Sequence, residues 1–181
     1  MDKEYKFLAI SDFTINNFVN CLNNDPSGPP IKCLIPPYSQ FVQLLVDPKA
    51  EYWGSDLNGV IIWTRPEAAI LSFNDVVNFK KVSINKIFKE VDEYSSMILN
   101  ICDKAKYIFI PLWVYPHRGY GMLNMKAGTG IAATLMRMNL RLAKNLAKAS
   151  NILLLDPQPW ISSAGKNAFN PKLWYMGKIA F

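Results

Sequence analysis

The chain has 181 residues, enough to bury one sizeable core, so a single domain over residues 1–181 is expected. Half of the residues are apolar and only 19% are charged, which excludes a disordered chain. The net charge of +6 would suit an acidic partner, but the 14 acidic residues read as spread through the sequence, and the basic-aromatic pattern of an RNA-binding sheet is missing, which excludes nucleic acid.

The first residues, Met1 to Lys6, mix both signs of charge, unlike a signal peptide. No apolar stretch approaches the roughly 20 residues needed to cross a bilayer. A cytoplasmic protein with no membrane partner is therefore expected. Cys21, Cys33 and Cys102 form no C-x-x-C pair, and His117 is the single histidine. Reduced thiols and no metal site follow.

In chain order, residues 7–10 form a first apolar run of strand length. Residues 15–22 read as a helix entered through Asp12 or Thr14, either of which would cap its first turn. Residues 31–35 give a second strand, and 40–46 a short helix ended by Asp47-Pro48. A third strand covers 59–63. From Ser83, the expected cap, to about Asp103, apolar residues recur at helical spacing. Residues 107–112 form a fourth strand. A helix over 131–149 follows, with Ile131, Leu135, Met138, Leu142, Leu146 and Ala149 on one face, and 151–155 is the fifth strand. Strands alternating with helices predict a three-layer α/β/α fold with a flavodoxin-like parallel sheet of about five strands, order 2-1-3-4-5, and ligands at the carboxyl ends of the strands.

The loops at those ends carry the candidate chemistry. Ser11, Asp12 and Thr14 follow the first strand and Arg65 the third. His117, Arg118, Asn124 and Lys126 lie among the glycines 119, 121, 128 and 130, which form either an anion cradle at the next helix or a shaped connecting loop. Arg137, Arg141, Lys144 and Lys148 form a cationic stripe, which is either a solvated face or a receiver for an acidic partner helix. Trp63 and Trp113 read as core edges, and Trp160 and Trp174 as interface residues.

The strings LAISDFT, IIWTRPE, GMLNMKAGTGIAATLMRMNLRLA and GKNAFNPKLWYMGKIAF resemble the N-terminal SGNH-hydrolase-like domain of FkbH-type proteins, members of the haloacid-dehalogenase (HAD) superfamily, subfamily IIIC. The resemblance runs nearly end to end. It implies an SGNH-like α/β/α domain placed before a HAD-type phosphatase or glyceryl-transferase domain. That second domain, for which Mg is expected, loads glyceryl groups onto an acyl carrier protein in polyketide or related secondary-metabolite biosynthesis. No Asp-x-Asp string occurs here, so that chemistry is not expected in this chain. No cofactor is expected in it either. The apolar end, Ile179-Ala180-Phe181, suggests a domain cut from a longer protein.

The SGNH pattern needs a serine nucleophile after the first strand, an asparagine for the oxyanion after the third, and a histidine base near the C-terminus. Phe13 stands at the serine position, Arg65 lies where the asparagine is needed, and the C-terminal segment has no histidine. The leading expectation is thus a degenerate accessory domain that positions the HAD-type domain or its carrier protein. The competing expectation is a divergent hydrolase acting on an ester or thioester, with Ser11, Asp12 and His117 as its catalytic set. A third is a binding module for a small anion, held by Thr14, Arg65, Arg118, Asn124 and Lys126.

Overall fold

Residues 4–37, 40–54, 56–116 and 121–180 are described by the computed structural model. The elements run β1 (Tyr5–Ser11), α1 (Asn16–Asn23), β2 (Ile31–Leu34), α2 (Phe41–Val46), β3 (Gly59–Trp63), α3 (Pro66–Ala69), α4 (Leu71–Val77), α5 (Ile84–Asn100), β4 (Tyr107–Pro111), α6 (Ile131–Leu146), β5 (Ile152–Leu155), α7 (Gln158–Ala164) and α8 (Pro171–Gly177). Short 3₁₀ segments, Gly121–Met125 and Gly165–Asn167, precede α6 and follow α7. The strands pair in parallel in the order β2-β1-β3-β4-β5, as predicted. A parallel sheet hides both faces of its central strands, which is why these strands read as continuous apolar runs rather than alternating ones.

The two faces are covered unequally. Leu8, Ile10, Val60, Ile62, Ile108 and Ile110 point to one side and join residues of α2, α4, α5 and α6 in the larger core. On the other side Ala9 and Cys33 pack with Phe13, Ile15 and Val19 in a smaller core, flanked by Trp63, Trp174 and Ala180. Alternation puts Tyr107 and Leu153 on this second face, where they remain 42% and 40% exposed. Phe7 crosses its neighbour strand here. Its ring lies so close to Gly59 that a Cβ there would sit 2.3 Å from it, and it stacks on Phe109 with 6.0 Å between centroids.

Four short helices, α3, α4, α7 and α8, were not expected: four to seven residues show little of a period, whereas the equally short α2 was marked by its Asp47-Pro48 stop. α4 is tied to α5 through Ser72, whose N–H donates to Glu90 Oε2 at 2.8 Å and whose hydroxyl donates to Glu90 Oε1. Two capping expectations are corrected. Ile15, not Asp12 or Thr14, occupies the N-cap of α1, and no side chain bonds there. Ser83 does stand at the N-cap of α5, but its side chain makes no capping bond.

The cationic stripe on α6 is also not wholly turned to solvent. Arg141 Nε and Nη2 each donate to Asp92 of α5 at 2.7 Å, and Asn145 joins them at 2.7 Å. Arg137 and Arg141 both lie over the ring of Phe88. Arg141 holds the Asp92 carboxyl below the usual aspartate range. Lys144 and Lys148 remain exposed. No described helix is long and apolar enough to cross a membrane. Burial pushes the Cys33 thiol up to about 11, which keeps it protonated, whereas Cys21 is exposed.

Candidate strand-end site

In sheets of this order the crevice between β1 and β3 is the switch point, where the connections depart in opposite directions and ligands commonly bind. Here the chain's own side chains fill it. Asp12 follows β1 and Arg65 follows β3. Asp12 Oδ1 accepts the backbone N–H of Arg65 at 2.7 Å, and Oδ2 accepts Arg65 Nε at 2.7 Å. Arg65 Nη1 reaches Glu67 Oε1 at 3.3 Å. Trp174 of α8 lies across the guanidinium, with 3.8 Å between Cζ and the ring centroid. Burial raises the Asp12 carboxyl above its ordinary value, and the two bonds and charge of Arg65 pull in the opposite direction.

Arg65 is therefore matched by two carboxylates and covered by an indole. That environment differs from the open guanidinium that binding of an external carboxylate or phosphate requires. Phe13, at the position where the resemblance wants a serine, is 5% exposed and meets Trp63 edge-on at 5.8 Å. Its ring is part of the smaller core.

The neighbouring hydroxyls are used structurally. Ser11 Oγ accepts the N–H of Phe13 at 3.2 Å. Thr14 Oγ1 donates to the carbonyl of Gly177 at 2.7 Å, and its backbone N–H donates to Lys178 at 2.9 Å. Both contacts pin the C-terminal segment above β1. A pocket of about 400 Å³, lined by Ser11, Phe13, Thr14, Pro36 and Phe41 among others, opens beside them. His117 and Arg118 lie outside the described residues.

Asn124 and Lys126 sit before α6, in a loop whose amides bond within the loop. The N–H of Lys126 donates to Leu123, and those of Thr129 and Gly130 donate to Lys126. A Cβ at Gly130 would meet the Asn124 carbonyl at 2.3 Å, so glycine is what allows this close approach. Trp113 is buried, and Trp160 meets Trp63 in a tilted contact with 5.9 Å between ring centroids. Among the described residues no group of three or more His, Cys, Asp or Glu side chains gathers as a metal site.

Sequence reasoning missed two features. Thr64 Oγ1, buried at the end of β3, shares a 2.9 Å hydrogen bond with Tyr94 of α5 and accepts Trp113 Nε1 at 3.2 Å. Burial pushes the Tyr94 phenol up. The second is a cleft of about 950 Å³ between α6 and the α7–α8 segment. Its walls come from residues as far apart as Arg65 and Trp174, a separation no local motif records.

No family model matches the chain, and no curated protein matches it. Among solved structures, the chain is similar to the crystal structure of the N-terminal part of the protein BF1531 from Bacteroides fragilis, containing a phosphatase domain complexed with Mg. The TM-score is 0.77 and the identity 13%, over 98% of this chain and 47% of that one. The chain thus spans about half the length of that structure, and the likeness is one of fold.

Proposed function

We propose that this chain is a noncatalytic accessory domain that docks on a phosphatase-type catalytic domain and positions it, or its acyl carrier protein, as the resemblance to FkbH-type proteins implies. The observation that carries this reading is the filled β1/β3 crevice. Phe13 and the Asp12–Arg65–Trp174 stack occupy the places where a nucleophile and an oxyanion donor would stand.

Two further observations support it. The half-covered face over β4 and β5, with Tyr107 and Leu153 exposed, fits a parallel sheet that is completed by another layer of polypeptide. The similar solved structure contains a phosphatase domain and is about twice as long as this chain. The test is to mix the purified chain with a purified phosphatase-type domain of an FkbH-type protein. Binding, together with a changed turnover, is expected. No binding and unchanged turnover would refute the reading.

A second reading, an esterase or thioesterase acting through Ser11, is favoured by the pocket beside that residue. It requires hydrolysis of short acyl esters that disappears in Ser11→Ala.

A further inference from the structure

The charge proves unevenly distributed. Thirteen of the 14 acidic residues lie at or before Asp103, while after it Asp156 is the one acid against eleven basic residues. That later segment builds β4 and β5, one edge of the sheet, together with α6, α7 and α8.

Within this segment, α6 has three faces. Met138, Leu142 and Leu146 enter the core, and Arg137 and Arg141 lean on α5. The third face, Ala132, Leu135, Met136 and Asn139, lines the 950 Å³ cleft at i, i+3, i+4 and i+7. Leu140 extends this strip by one turn. Met136 and Leu140 are 56% and 70% exposed. Asn139 adds little polarity, because its Oδ1 accepts the Trp113 N–H and its Nδ2 donates to the Trp113 carbonyl. Lys166 stands on the opposite wall and Lys144 lies a turn beyond Leu140. Glu67 also lines the cleft, but its charge is set against Arg65.

We propose that this groove binds an acidic amphipathic helix of a protein partner, with the partner's apolar side chains on the α6 strip and its carboxylates toward Lys144 and Lys166. The strip has the helical spacing of helix-in-groove recognition. Methionine suits such a surface because its unbranched thioether adapts to different side chains. The basic excess gives complementary charge, which raises the association rate and selects against basic partners. The recessed shape favours a protein segment over a lipid surface, since a bilayer is met by projecting apolar residues. The proposal rests on the accessory-domain reading and deepens it by giving the chemistry of one partner, on a surface separate from the Tyr107–Leu153 face.

The probe is a labelled helical peptide of about 18 residues, five turns, with leucine at i, i+3, i+4 and i+7 and glutamate elsewhere. A scrambled peptide of the same composition and vesicles containing phosphatidylserine are the controls. Fluorescence anisotropy with the intact chain should show binding that weakens as salt rises, and at least tenfold weaker binding in Met136→Glu/Leu140→Glu. Because both positions are exposed, the melting temperature should stay unchanged. Lys166→Glu, in an exposed 3₁₀ segment, provides a second variant with a smaller loss. Absent binding, equal binding of the scrambled peptide, an unaffected double variant, or vesicle binding through the same residues would each overturn the proposal. A chain that ignores the peptide yet binds the phosphatase-type domain would overturn the groove alone and leave the accessory reading intact.

Discussion

Two strand-end regions of this sheet have opposite characters. Above β1 and β3, oppositely charged groups from distant parts of the chain meet each other at 2.7 Å, and an indole closes over them. Beside β4 and β5, the same layer of the molecule leaves an open cleft with a mostly apolar strip and exposed lysines around it. In the first region the polar groups are satisfied internally, so they hold the fold. In the second the lysines are exposed to solvent. A position at the carboxyl ends of the strands, which the fold class marks as the usual place for ligands, thus does not by itself decide function; the partners of each side chain do.

Substitutions can break this contrast, and the largest effect belongs to the closed region. Arg65→Ala should leave Asp12 buried without its cation, at a cost of about 2–4 kcal/mol by urea denaturation. Trp174→Ala should cost about 2 kcal/mol, less than a fully buried tryptophan, because one side of the ring is open to the cleft. Limited proteolysis of that variant should cut first near α8, which Thr14 and Trp174 hold in place. Tyr94→Phe removes the phenol from the Thr64 network and should cost about 1 kcal/mol.

The pH dependence distinguishes two carboxylates. Asp92 has a lowered value in the fold, so its stabilising contribution is present above the ordinary aspartate range and is lost as pH falls through the folded value. Asp12 has a raised value, so its effect has the opposite sign: full at the acid end, below the unfolded value, and lost as pH rises through the folded value. Asp92→Asn should therefore flatten the acid limb of the stability curve, with a smaller effect at neutral pH than Tyr94→Phe because the pair is half exposed. The smallest effect is expected in the open region, where Met136→Glu/Leu140→Glu should leave stability unchanged.

Much of the fold was legible in the sequence. The run Gly59–Trp63 was predicted to the residue, and the other strands to within two residues, because burial on both faces leaves an unbroken apolar signature. The helix beginning at Ile131 was equally clear, since sixteen residues show a period that seven cannot. The site was less legible. Asp12 and Arg65 were both singled out, but their pairing joins positions 53 residues apart, and the Trp174 cover comes from 109 residues further on. Helix capping was the local explanation for Asp12, and a tertiary contact displaced it. The groove did have a signal that was passed over, the near absence of acidic residues after Asp103. Counting charge over the whole chain averaged it away.

The central claim is that the closed crevice is structural and the chain noncatalytic. Hydrolysis of short acyl esters by the purified chain and by Ser11→Ala, followed at high enzyme concentration, tests it most directly. The account expects both proteins to match the uncatalysed background. Turnover by the unmodified chain that vanishes in Ser11→Ala, with the fold intact by circular dichroism, would contradict it.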